Sequence, residues 1–108
     1  MDNILDVGLE VHCPSIFPMV YVSKDYFIRY QTIYIRKGFA WDGASFAHDG
    51  KRNKEGKATT WKATCVHDVL IQDPKCPFTR KQIDKIFKGV TRIEKKWLEI
   101  KTIMWKKT

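Results

Sequence analysis

Asp42, His67, Asp68 and Asp84 are the side chains of this sequence whose types suit acid–base or metal chemistry, and each sits in an otherwise apolar or turn-forming context. Arg80 and Ser45 accompany them. Asp42 and Ser45 stand in Trp41-Asp42-Gly43-Ala44-Ser45, where glycine permits a tight backbone and aspartate can bond to nearby amides. His67 and Asp68 are consecutive, so on a helix they point about 100° apart and can border one cleft from two directions. Arg80 and Asp84 are one helical turn apart and share a face, close enough to pair or to hold a third group.

Two chemistries follow from that set. In one, Asp42, His67, Asp68 and Asp84 converge on a divalent ion such as Zn²⁺, Mn²⁺ or Mg²⁺, while Arg80 and Ser45 hold the substrate, Arg80 through an anionic or carbonyl oxygen. Such an ion polarises a scissile bond and acidifies bound water, which makes hydrolysis the expected reaction. In the other, no metal takes part: His67 is a general base oriented by Asp68 or Asp42. Ser45 is the one candidate nucleophile and lacks a diagnostic setting. The same residues also have a purely structural reading, in which Asp42 caps a turn, Arg80 and Asp84 join an ionic network, and His67 bonds to a backbone carbonyl.

The elements that would position these groups can be read from patterning. Phe17 to Val22 and Tyr26 to Lys37 are rich in aromatic and β-branched residues around the turn-forming Ser23-Lys24-Asp25. Within the longer run Tyr26, Ile28 and Tyr30 share one parity and Ile33 and Ile35 the other, so a bulge or a second tight turn is expected near Gln31-Thr32. Pro14 and Pro18 predict an irregular or edge segment before it. Residues 47–58 are polar and glycine-flanked and read as an exposed loop containing His48 and Asp49. Thr59 or Thr60 is expected to cap a helix carrying Trp61, Cys65, Val66, Val69 and Leu70 on one face, ended by Asp73-Pro74-Lys75-Cys76-Pro77. Thr79 and Gln82 form a capping box ahead of a stripe of Ile83, Ile86, Phe87, Val90, Ile93, Trp97, Ile100, Ile103 and Met104, which Gly89 is expected to divide.

The expected fold is therefore α+β: a small antiparallel β-meander followed by two or three helices packed on one face. A chain of 108 residues with 44% hydrophobic content suits a single domain. Its parts are an irregular segment 1–15, a β part at 16–45, the loop at 47–58 and a helical part at 59–107. The three cysteines, Cys13, Cys65 and Cys76, are odd in number and irregularly spaced, which argues for free thiols, and the lack of a Cys-x-x-Cys pair argues against a structural zinc site built on them. No run of sequence has the length and apolarity of a membrane span or the order of a secretory signal, so an unexported, soluble protein is expected. The net charge of +8 is uneven: residues 80–108 carry ten basic and three acidic groups, whereas residues 1–50 carry four and six. Such asymmetry suits a polyanion partner, nucleic acid among them, although no nucleic-acid motif is present, and it also suits a solvated helix face.

Three blocks together resemble a family found mainly in bacteriophages and prophages, the domain of unknown function thirteen fifty-three. They are Lys37-Gly38-Phe39 with Asp42-Gly43-Ala44-Ser45, then Trp61 through Asp68, then Thr79-Arg80 with Asp84 and Phe87. The resemblance spans roughly residues 15–107. The chain departs from it after Ser45, where Phe46-Ala47-His48 replaces an apolar residue and Pro-Arg, and after Asp68, where Val69-Leu70-Ile71 replaces an aromatic-rich run. The resemblance implies a phage setting: the host cytoplasm during infection, or the virion. The functional expectation is thus a small phage accessory protein with a metal-assisted hydrolase site. The alternatives are a non-catalytic virion, assembly or host-interaction protein with a phage or host protein partner, and a basic nucleic-acid-binding module working through its carboxyl-terminal helices.

Overall fold

The computed structural model describes residues 3–41 and 61–106, with side chains described for 4–41 and 61–96. Asp42, Ser45, the loop expected at 47–58 and the expected caps Thr59 and Thr60 lie outside the described residues.

Alternation of apolar and polar residues builds the main sheet. Strands β2 (Leu9–His12), β3 (Met19–Val22), β4 (Tyr26–Tyr30) and β5 (Thr32–Ile35) form an antiparallel sheet in the order β2-β5-β4-β3. The parity slip seen in the sequence is a second tight turn. Arg29 pairs with Thr32 across Tyr30-Gln31, so Ile28 meets Ile33 and Tyr26 meets Ile35, and all four point inward. Tyr30 takes φ 59°, a left-handed conformation that is strained for a bulky side chain. The turn is held by Gln31, whose amide donates to the carbonyls of Pro14 (3.1 Å) and Ile16 (2.9 Å). On the outer face Phe27 and Tyr34 stack at 4.6 Å, with the Arg36 guanidinium over Phe27.

The amino-terminal segment expected to be irregular is in fact partly strand. β2 occupies the edge of the main sheet, and β1 (Asn3–Ile4) pairs with β6 (Ala40–Trp41) in a separate two-stranded ribbon. In β2 the alternation is only four residues long, and Val11 is its one fully buried side chain, too brief a signal to read between Gly8 and Pro14. Gly38 makes the turn into the ribbon at φ +92°, a conformation L side chains rarely adopt, and its N–H donates to the Leu5 carbonyl at 2.9 Å.

Helix α1 (Trp61–Gln72) and helix α2 (Arg80–Lys106) complete the α+β arrangement. The capping box forms as expected: the Gln82 side chain accepts from the Thr79 N–H at 2.8 Å, and the Thr79 hydroxyl accepts from the Gln82 N–H at 3.2 Å. Gly89 does not divide α2, which runs through it unbroken. A glycine inside a helix costs only about 1 kcal/mol relative to alanine, too little to end a helix whose Ile86 and Val90 on either side are packed in the core.

One apolar core joins these parts, with the inward residues of β2, β4 and β5, Phe39 and Trp41 on one side and Ala63, Cys65, Val66, Val69, Leu70, Ile83, Ile86 and Val90 from the helices on the other. Trp41 stacks on Trp61 at 5.9 Å, tying the end of β6 to the start of α1. No disulfide joins the three cysteines. Cys13 and Cys65 are buried, and burial pushes the Cys13 thiol up to about 12; Cys76 is half-buried. Among the described residues, no helix is long and apolar enough to cross a membrane.

Candidate functional site

Helical periodicity turns His67 toward α2, where its ring is 3% exposed. Helix α2 answers with two residues three positions apart. Asp84 places Oδ1 3.3 Å from His67 Nε2, and Phe87 meets the ring edge-on with centroids 5.4 Å apart. On the other side of the imidazole Asp68 Oδ1 stands 3.8 Å from Nδ1. The two carboxylates differ in access, since the Asp68 side chain is 15% exposed and that of Asp84 is 55% exposed.

The structure therefore brings together His67, Asp68 and Asp84. Each ring nitrogen faces a different carboxylate, so Asp68 and Asp84 address opposite edges of the imidazole. Arg80 is exposed in the first turn of α2 and makes no ion pair with Asp84 among the described residues. Asp42 and Ser45 belong to the undescribed segment that starts directly after Trp41, whose indole packs against the first residue of α1. Among the described residues, no group of three or more His, Cys, Asp or Glu side chains is arranged to hold a metal ion.

A second polar cluster escaped the sequence reading. Asp73, directly after α1, accepts hydrogen bonds on Oδ2 from the Tyr21 hydroxyl at 2.7 Å and the Tyr26 hydroxyl at 2.8 Å, and on Oδ1 from the Lys75 N–H at 3.0 Å. Desolvation alone would raise the Asp73 carboxyl, but the bonds from Tyr21, Lys75, Tyr26 and Ser23 outweigh it and hold the group below its ordinary value. The tyrosines respond oppositely: Tyr21 is raised chiefly by its bond to Asp73, and Tyr26 by burial and then by the same carboxylate. Beside this knot lies an open cleft of about 270 Å³ lined by Ser23, Lys24, Asp25, Gln72 and Pro74 among others. The only sequence signal was Asp73-Pro74 as a helix stop, which says nothing of partners about fifty positions earlier.

A third carboxylate, Glu94 of α2, reaches the start of α1, where Oε1 accepts from the Ala63 N–H at 2.8 Å and Oε2 from the Lys62 N–H at 3.4 Å. Two of the donors that a helix start leaves unmet are thus satisfied from the neighbouring helix.

The family model described as "Protein of unknown function (DUF1353)" matches residues 17–107. No curated protein and no solved structure matches the chain.

Proposed function

The chain belongs to the DUF1353 family of proteins of unknown function, and from that premise we propose that it is a small phage-encoded accessory protein whose His67–Asp84 pair is one half of a divalent-ion site for hydrolysis. The observation that carries this reading is the spacing of the pair. Two ligand atoms each about 2.1 Å from a tetrahedral ion stand about 3.4 Å apart, a separation that a long hydrogen bond also reaches. The separation from Nε2 to Oδ1 is 3.3 Å.

Asp68 has a different part in this proposal from the one its sequence position suggests. Its Oδ1 stands 3.8 Å from Nδ1, longer than a hydrogen bond, and flanks the ring on the side away from Asp84. Asp84, half in solvent, opens the site to small molecules, while Phe87 fixes the ring plane. Asp42 supplies a further carboxylate from the segment following Trp41, and Ser45 and Arg80 are the groups assigned to substrate. A Zn²⁺, Mn²⁺ or Mg²⁺ ion held there would act as a Lewis acid and a source of hydroxide at neutral pH.

Calorimetric titration with each of these ions tests the proposal. Wild-type protein is expected to give saturable heat. Asp84→Asn and Asp42→Ala should abolish it with the fold retained, and Asp68→Asn should weaken affinity by about tenfold or more. No heat with any ion, or equal heat in all variants, overturns it.

A non-catalytic virion or host-interaction protein is the second reading, and two observations favour it. His67 is as buried as a core residue and would serve as a clasp between α1 and α2. Phe17, Val20 and Val22 are 85%, 74% and 68% exposed on or next to the edge strand β3, an apolar patch of the kind that partners cover. Loss of stability in Asp84→Asn without any ion binding would favour this reading.

A further inference from the structure

The geometry points to helix α2 as a docking face for a nucleic-acid duplex, gripped through its phosphates without regard to sequence. Lys81, Lys85, Lys88, Arg92, Lys95 and Lys96 are all exposed. At about 100° per residue they fall within an arc of about 100° on one side of the helix, and at about 1.5 Å per residue they extend along about 22 Å of it. Ile83, Ile86 and Val90, on the opposite arc, are buried in the core, so packing fixes which way the cations point.

The face is of one sign. Of the two acidic residues of the same stretch, Glu94 lies on the far side and caps α1, and Asp84 lies about 20° beyond the edge of the arc, half-exposed and facing His67. Among the described residues, none of the six cations is held in an ion pair. Their spacings of three and four set like charges side by side, which destabilises a helix when nothing neutralises them. A line of phosphates relieves that repulsion and releases its own condensed counterions on contact.

A duplex fits better than the other polyanions. An anionic bilayer is held most firmly by a helix that also inserts an apolar face, and of the described apolar residues of α2, Ile83, Ile86 and Val90 are committed to the core. A single strand is gripped by aromatic rings interleaved with cations, and between Lys81 and Lys96 the one aromatic residue, Phe87, is turned toward His67. This inference does not depend on the ion site.

Fluorescence anisotropy with a short mixed-sequence DNA duplex, measured across salt concentration, tests it. Affinity should be high at low ionic strength and fall steeply, with a log–log slope of about −4 to −5 if most of the six cations meet phosphates. Lys88→Gln and Arg92→Gln should each reduce the slope by about one, equally for unrelated duplex sequences, with unchanged circular dichroism. Absence of binding at low ionic strength overturns the inference. So does unchanged binding in the combined Lys85→Gln, Lys88→Gln, Arg92→Gln variant, or capture by anionic vesicles without capture of the duplex.

Discussion

Asp73 and Asp84 are both carboxylates set against helix α1, and their surroundings are opposite. Asp73 accepts from two tyrosine hydroxyls of the sheet and from the backbone of its own turn, so it ties β3, β4 and the end of α1 together. Among the described residues Asp84 has one close contact, a ring nitrogen at 3.3 Å, and it leaves about half its side chain in water. A carboxylate filled by fixed donors has little left to offer a ligand. One held from a single side by a buried imidazole keeps its other lone pairs available. The contrast separates a polar group bonded on several sides within the fold from one with a side still facing water.

The largest effect that would test this contrast is expected at Asp73. Asp73→Asn weakens charge-assisted bonds to two hydroxyls, one of them on the buried Tyr26, and should cost about 2 kcal/mol in urea unfolding. Acid sharpens the same point. Because the folded-state Asp73 carboxyl lies below its ordinary value, its contribution is present above the unfolded value near pH 4 and is lost as pH falls through the folded one. The stability gap between wild type and Asp73→Asn should therefore narrow below about pH 4.

Glu94 is an intermediate case. It caps α1 through two backbone N–H groups, so Glu94→Gln should cost about 0.5–1 kcal/mol, and added salt should shrink the difference. The smallest effect is expected at Asp84. Asp84→Asn should change stability by no more than about 0.5 kcal/mol while removing divalent-ion uptake. A cost at Asp84 greater than that at Glu94 would break the comparison and make the His67 contact a structural clasp.

What could be read from the sequence was what is local. The Thr79–Gln82 box forms between neighbours in the chain, and the parity change between Ile28 and Ile33 marks a turn because side chains must alternate across a pleated strand. Helical geometry likewise set His67 and Asp68 about 100° apart, able to border one cleft from two directions. Two arrangements were open for Asp84, convergence with His67 or pairing with Arg80 one turn away, and the structure gives Asp84 to His67. The Tyr21–Asp73 and Tyr26–Asp73 bonds span 52 and 47 positions and exist only once the sheet has folded onto the end of α1. Strand β2 was missed for a different reason, since four residues with one fully buried side chain carry too little pattern to stand out between Gly8 and Pro14. The expected Asp42 and Ser45 contributions fall outside the described residues.

The arrangement of thiols makes the chain report on its own opening. Cys76, half-buried beside the Asp73 turn, is within reach of an alkylating reagent in the folded state. Cys13 and Cys65 are sealed in the core, and Cys13 is further protected because its thiolate is scarce. Mass spectrometry after a timed pulse of iodoacetamide would therefore find one prompt adduct and two delayed ones. The lag of the later pair would measure how often the sheet and helices come apart.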